Sequence, residues 1–77
     1  MQTTIFFGHL NRDTTADDLR VLVAVHAEVV AANKVEGSRI GFVQTINQAA
    51  AEKVVRALHN TKMAGRTLVV ELGERIR

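Results

Sequence analysis

The residues of this chain that invite a chemical reading are three phenylalanines, Phe6, Phe7 and Phe42, because no tyrosine or tryptophan accompanies them. Phe6 and Phe7 sit together in Thr3–His9 (TTIFFGH), and Phe42 lies in Ile40–Ile46 (IGFVQTI). Both runs are rich in strand-forming residues, and along a strand successive side chains alternate between the two faces. Ile5 and Phe7 therefore share one face and Thr4 and Phe6 the other, as Val43 and Phe42 divide in the second run. If Phe7 and Val43 face a core, Phe6 and Phe42 are left on an open face. Two uncovered phenyl rings there imply a partner. Other chemistries have no foothold. The chain lacks cysteine, and its three histidines, His9, His26 and His59, share no ligand spacing, so neither a metal nor another cofactor is expected. No glycine-rich phosphate loop, nucleophile–base pair or carboxylate cluster suggests an enzyme.

The elements that must position those rings follow from pattern. Thr14 or Thr15 can cap a helix whose first turn holds Asp17 and Asp18, with Leu19, Leu22, Val23 and His26 at helical spacing. Ala27–Val35 reads as a strand, Glu36–Ser38 as a hairpin connection, and Ile40–Ile46 as the next strand. Asn47 or Gln48 then caps a second helix striped by Ala51, Val54, Val55 and Leu58. A polar turn at Asn60–Lys62 and Gly65-Arg66 precede a final strand, Thr67–Leu72. The order β-α-β-β-α-β with right-handed crossovers predicts an α+β, ferredoxin-like fold. Its four-stranded antiparallel sheet would carry both helices on one face, with the first and third strands central. At 77 residues this is one small domain, spanning 1–77 with a core of about 3–72 and a short basic tail.

Several marks resemble the RNA recognition motif. The family's short signature corresponds to Ile5-Phe6-Phe7-Gly8-His9-Leu10, with His9 where Asn is usual. Its long signature corresponds in part to Ser38-Arg39-Ile40-Gly41-Phe42-Val43-Gln44-Thr45. Asp18-Leu19-Arg20, Glu28-Val29-Val30, Ala51-Glu52-Lys53 and Gly65-Arg66-Thr67-Leu68 agree as well. The resemblance implies a sheet whose exposed aromatics stack bases of single-stranded RNA, or single-stranded DNA by the same chemistry. Phe6 and Phe42 take the stacking positions, whereas Ile40 replaces a second aromatic of the long signature. Ser38 stands where a basic residue is typical, with Arg39 beside it. Thr45 stands where an aromatic usually closes the signature on the core side.

Around such a surface the cations expected to meet phosphates are Lys34 and Arg39, Arg66, and the tail residues Arg75 and Arg77. His9, Asn33 and Gln44 offer hydrogen bonds to bases. Glu71 would repel phosphate but could accept from a base amino group. The expectation is micromolar binding with little sequence preference.

A competing reading is a protein-interaction or homodimerisation module of the same fold. Val21 and Val25 lie one turn apart on the side of the first helix away from Leu19 and Leu22, where the family usually carries polar residues. The sheet face could equally be closed by a terminal helix or a second subunit. Net charge is only +2, so an anionic partner is permitted but not demanded. No apolar run is long enough to span a membrane and no signal segment is evident. A cytoplasmic location, or a nuclear one in a eukaryote, is the expectation.

Overall fold

The computed structural model of the chain describes residues 2–63 and 65–73. Its strands and helices are β1 (Thr3–Gly8), α1 (Ala16–Ala24), β2 (Val29–Lys34), β3 (Gly41–Thr45), α2 (Gln48–Leu58), β4 (Lys62–Met63), β5 (Arg66–Thr67) and β6 (Val69–Leu72). The main sheet is antiparallel in the order β2-β3-β1-β6, which places the first and third strands at its centre. This is the ferredoxin-like architecture expected from the element order.

Each helix begins where a side chain can satisfy its unpaired amides. Thr15 Oγ1 accepts from the Asp18 N–H at 3.1 Å while Asp18 Oδ2 accepts from the Thr15 N–H at 3.0 Å, a reciprocal capping box. Asn47 Oδ1 accepts from the Ala50 N–H at 2.8 Å and starts α2. The helices cover one sheet face. Leu19 and Val23 of α1 and Ala51, Val54 and Leu58 of α2 are buried with Ile5, Phe7, Val43, Val70 and Leu72 of the strands. Phe7 and Val43 are completely enclosed, so the alternation argument puts Phe6 and Phe42 on the other side. Thr45 is also fully buried. Its hydroxyl lies 3.2 Å from the Thr3 carbonyl and 3.0 Å from the Asn47 carbonyl, so a polar residue fits where the family places an aromatic.

Three local features differ from the sequence expectation by more than a single end residue. First, α1 stops at Ala24, and the His26 and Ala27 amides both bond to the Val23 carbonyl. That tight exit takes His26 off the helix and delays β2 to Val29. Secondly, β2 carries a register shift between Val29 and Ala31, which alternation alone does not reveal. Thirdly, the final strand is divided. Arg66 and Thr67 pair with Met63 and Lys62 in a separate hairpin, and β6 begins only at Val69. The reason lies at Leu68. It is buried, its N–H bonds to the Thr61 carbonyl at 2.7 Å, and its carbonyl accepts from Asn60. Leu68 thereby pairs with the turn after α2, whereas Val69 belongs to the main sheet.

Candidate nucleic-acid interface

Across the middle of the uncovered face the register aligns four side chains in one row. Asn33 on β2 is opposite Phe42 on β3, Phe42 is opposite Phe6 on β1, and Phe6 is opposite Glu71 on β6. The two rings are half-buried, their centroids are 5.7 Å apart and their planes are inclined by 60°, an edge-to-face pair. Asn33 and Glu71 at the ends of the row are exposed. The centre of the row is thus apolar and aromatic, and its margins are polar.

Gly8 explains how the Phe6 ring lies. A Cβ at position 8 would stand 3.1 Å from Phe6 Cε2 and 3.6 Å from Val69 Cβ. The ring therefore leans along β1 over the space that Gly8 leaves, an approach that glycine allows within a strand. On one side of the row Gln44 is paired with Thr4 and Ala31 and shares the ring face by alternation. On the other side the same parity brings Val35, Ile40 and Val69, which are 50%, 39% and 36% exposed. Ile40 thus adds apolar surface next to the rings without a π-face.

The described cations do not lie over the rings. Three of them gather on the backbone that follows β1. Arg66 Nε donates to the His9 carbonyl at 3.2 Å, Arg39 Nη1 to the Leu10 carbonyl at 3.3 Å, and Lys34 Nζ to the Arg12 carbonyl at 3.2 Å. Lys34 is one residue from Asn33, so its side chain leaves β2 on the helix-covered side. It reaches a concavity lined by Arg12, Thr15, Glu36 and Gly37. Lys34, Arg39 and Arg66, expected around the sheet, form a cationic collar at one end of it. Arg12, which lines the concavity that Lys34 reaches, joins it.

His9 is the hinge of that collar. It adopts φ of 62°, and its Nδ1 donates to the Thr67 carbonyl at 2.7 Å. Left-handed backbone is enriched in Asn, Asp and His among non-glycine residues, which accounts for Asn being usual here and His being accepted. Arg75 and Arg77 lie outside the described residues. On α1 and its C-cap, Val21 and Val25 are 66% and 79% exposed, as their positions on the outer helix face predict. Among the described residues, no helix is long and apolar enough to cross a membrane.

Comparison with known proteins agrees with this fold. The sequence pattern of the family described as RNA recognition motif matches residues 5–69. Polyadenylate-binding protein RBP45C of Arabidopsis thaliana is 35% identical over 71 residues, covering 92% of this chain and 17% of the relative. RNA-binding protein L of Oryza sativa subsp. japonica is 37% identical over 71 residues, with the same coverage of each. The chain therefore spans about a sixth of the length of these relatives. Among solved structures, the crystal structure of RNA Binding Protein PG1 superposes with a TM-score of 0.85 at 27% identity, covering 92% of this chain and 93% of that one. The second RRM domain of yeast poly(U)-binding protein Pub1 gives a TM-score of 0.83 at 21% identity, with 92% and 93% covered. The chain belongs to the RNA recognition motif family.

Proposed function

We propose that the chain is a single-stranded-RNA-binding module that seats bases on Phe6 and Phe42. One observation carries the reading: the two half-buried rings are direct cross-strand neighbours at the centre of a sheet face left uncovered by the described residues. Each ring offers about 1–3 kcal/mol per stacked base. The names of the relatives that match most of this chain, polyadenylate-binding and RNA-binding proteins, favour the same ligand class. Two bases lying flat on the rings as they stand would be inclined to one another, so the RNA backbone must bend between them. The collar then holds phosphates. A lysine has three donors and an arginine five, so Lys34, bonded to the Arg12 and Val35 carbonyls, keeps one donor for an anion, and Arg39 and Arg66, bonded to one carbonyl each, keep four. Titration of a fluorescent single-stranded oligoribonucleotide tests the reading. The parent should bind it, and Phe6→Ala and Phe42→Ala should each weaken binding while preserving the fold. If both variants bind like the parent, the sheet face is not the site.

A second reading, self-association through α1, is favoured by the exposure of Val21 and Val25. A β-branched apolar pair one turn apart on an outward helix face is a patch that a second copy could cover. Sedimentation over a wide concentration range tests it. A dimer that Val21→Glu or Val25→Glu dissociates supports the reading, and a strict monomer ends it.

A further inference from the structure

We infer that Glu71 makes the Phe6 half of the platform selective for bases that carry hydrogen-bond donors on their Watson–Crick edge, guanine first, and selective against uracil. The inference rests on the proposed stacking function and deepens it, replacing the expectation of little sequence preference. Glu71 is the direct cross-strand partner of Phe6, and the two side chains share the open face. Side chains so paired have Cβ atoms about 4.5–5.5 Å apart. A base seated on Phe6 therefore extends within reach of a carboxylate carried on two methylenes. No cation among the described residues pairs with Glu71, and the collar cations bond to carbonyls beyond the end of β1.

The chemistry of the four bases against that carboxylate is unequal. An ionised carboxylate only accepts, and its two oxygens take two parallel donors. Guanine presents N1–H and the N2 amino group side by side, which match both oxygens. Adenine and cytosine each present one amino group beside a ring-nitrogen acceptor, so one oxygen is bonded and the other faces a lone pair. Uracil presents N3–H between two carbonyl oxygens, and both repel the carboxylate. A carboxylate covered by a base that offers it no usable donor loses hydration without a replacement bond, so that base binds more weakly. At the opposite end of the row Asn33 carries both a donor and an acceptor beside Phe42, so it does not impose the same exclusion.

The test compares (GU)3, (AU)3, (CU)3 and U6 oligoribonucleotides by fluorescence anisotropy with the parent and with Glu71→Gln and Glu71→Ala. Removing the charge also relieves repulsion of phosphates, so the readout is the ratio of affinities between oligonucleotides and not any single affinity. The parent should bind (GU)3 tightest and U6 weakest, by roughly ten-fold, the size of one charge-assisted hydrogen bond at an exposed site. Glu71→Gln should narrow that ratio to within about two- to three-fold, with U6 binding unchanged or tighter. Glu71 is exposed at the sheet margin, and circular dichroism checks that both variants fold. A parent ratio that survives both substitutions, or a parent that prefers U6, overturns the inference and leaves stacking intact. A parent that binds none of the four oligonucleotides refutes the proposed function itself, which is a distinguishable failure.

Discussion

Phe6 and Phe42 face each other across the two central strands with ring planes 60° apart, so each ring is at once the other's packing partner and a surface for ligand. That double role separates two quantities. An edge-to-face pair contributes about 0.5–1.5 kcal/mol beyond its buried area, and each stacked base about 1–3 kcal/mol. Phe6→Ala and Phe42→Ala should therefore cost modest stability in urea melts and a larger loss in RNA binding. In the double variant the stability losses should be smaller than their sum, because the first substitution already removes the pair. Strictly additive melts would show that the rings do not support each other.

Two glycines on adjacent strands should respond in opposite ways to the same methyl group. At Gly8 the added Cβ meets the Phe6 ring at 3.1 and 3.4 Å, a side chain free to tilt by a few tenths of an ångström. Gly8→Ala should leave melting nearly unchanged but alter the Phe6 ring environment and weaken RNA binding, as ring-proton spectra and anisotropy would show. At Gly41 the Cβ would lie 2.5 Å from Leu19 Cδ1 and 3.1 Å from the Asn33 carbonyl, inside the core. Gly41→Ala should destabilise by about 1–3 kcal/mol, the usual cost of overpacking. Equal melting temperatures for the two variants would contradict the placement of the core.

The central half of this site was legible from residue pattern alone, because strict alternation through Ile5-Phe6-Phe7 and Phe42-Val43 assigns faces without any long-range information. Partner strands in this topology then bring Phe6 and Phe42 together. The row's polar ends, Asn33 and Glu71, were named as candidates, but their exact alignment depends on the register shift in β2 and on where β6 begins. Neither is written in local periodicity. The shift is an irregularity of pairing, and the late start of β6 follows from Leu68 bonding to Thr61, a contact between distant parts of the chain. The cations were harder still. Lysine and arginine side chains are long enough to follow backbone acceptors, so Lys34 and Arg39 turn to the Arg12 and Leu10 carbonyls, and Arg12 enters a cluster that no spacing announces.

The backbone at His9 offers a test of local conformation that is independent of any ligand. With φ of 62°, a β-branched residue is strongly disfavoured there, whereas Asn and Gly occupy the region readily. His9→Asn and His9→Gly should remain within about 1 kcal/mol of the parent, and His9→Val should lose about 1–3 kcal/mol, the cost of holding an unsuitable residue in that region. Chemical denaturation of the three variants measures this. A His9→Val protein as stable as the other two would mean that the chain leaves β1 in another conformation.

The collar predicts how binding depends on salt. For single strands the logarithm of affinity falls with the logarithm of salt concentration with a slope of about −0.7 for each phosphate neutralised. Arg39, Arg66 and Lys34 are held by the carbonyls of Leu10, His9 and Arg12, and Arg12 lines the concavity that Lys34 reaches. If these residues meet phosphates, Arg12→Gln and Arg39→Gln should each make the slope shallower by about 0.7 while changing every oligonucleotide alike, since phosphates carry no base identity. Lys53 is exposed on α2 and has no part in the collar's bonds to the backbone after β1, and Lys53→Gln is the control that should leave the slope unaltered. The experiment is a titration repeated at several salt concentrations. Equal changes for Lys53→Gln and the collar variants would reduce the cations to a diffuse field. Unchanged slopes for the collar variants would place the phosphates elsewhere.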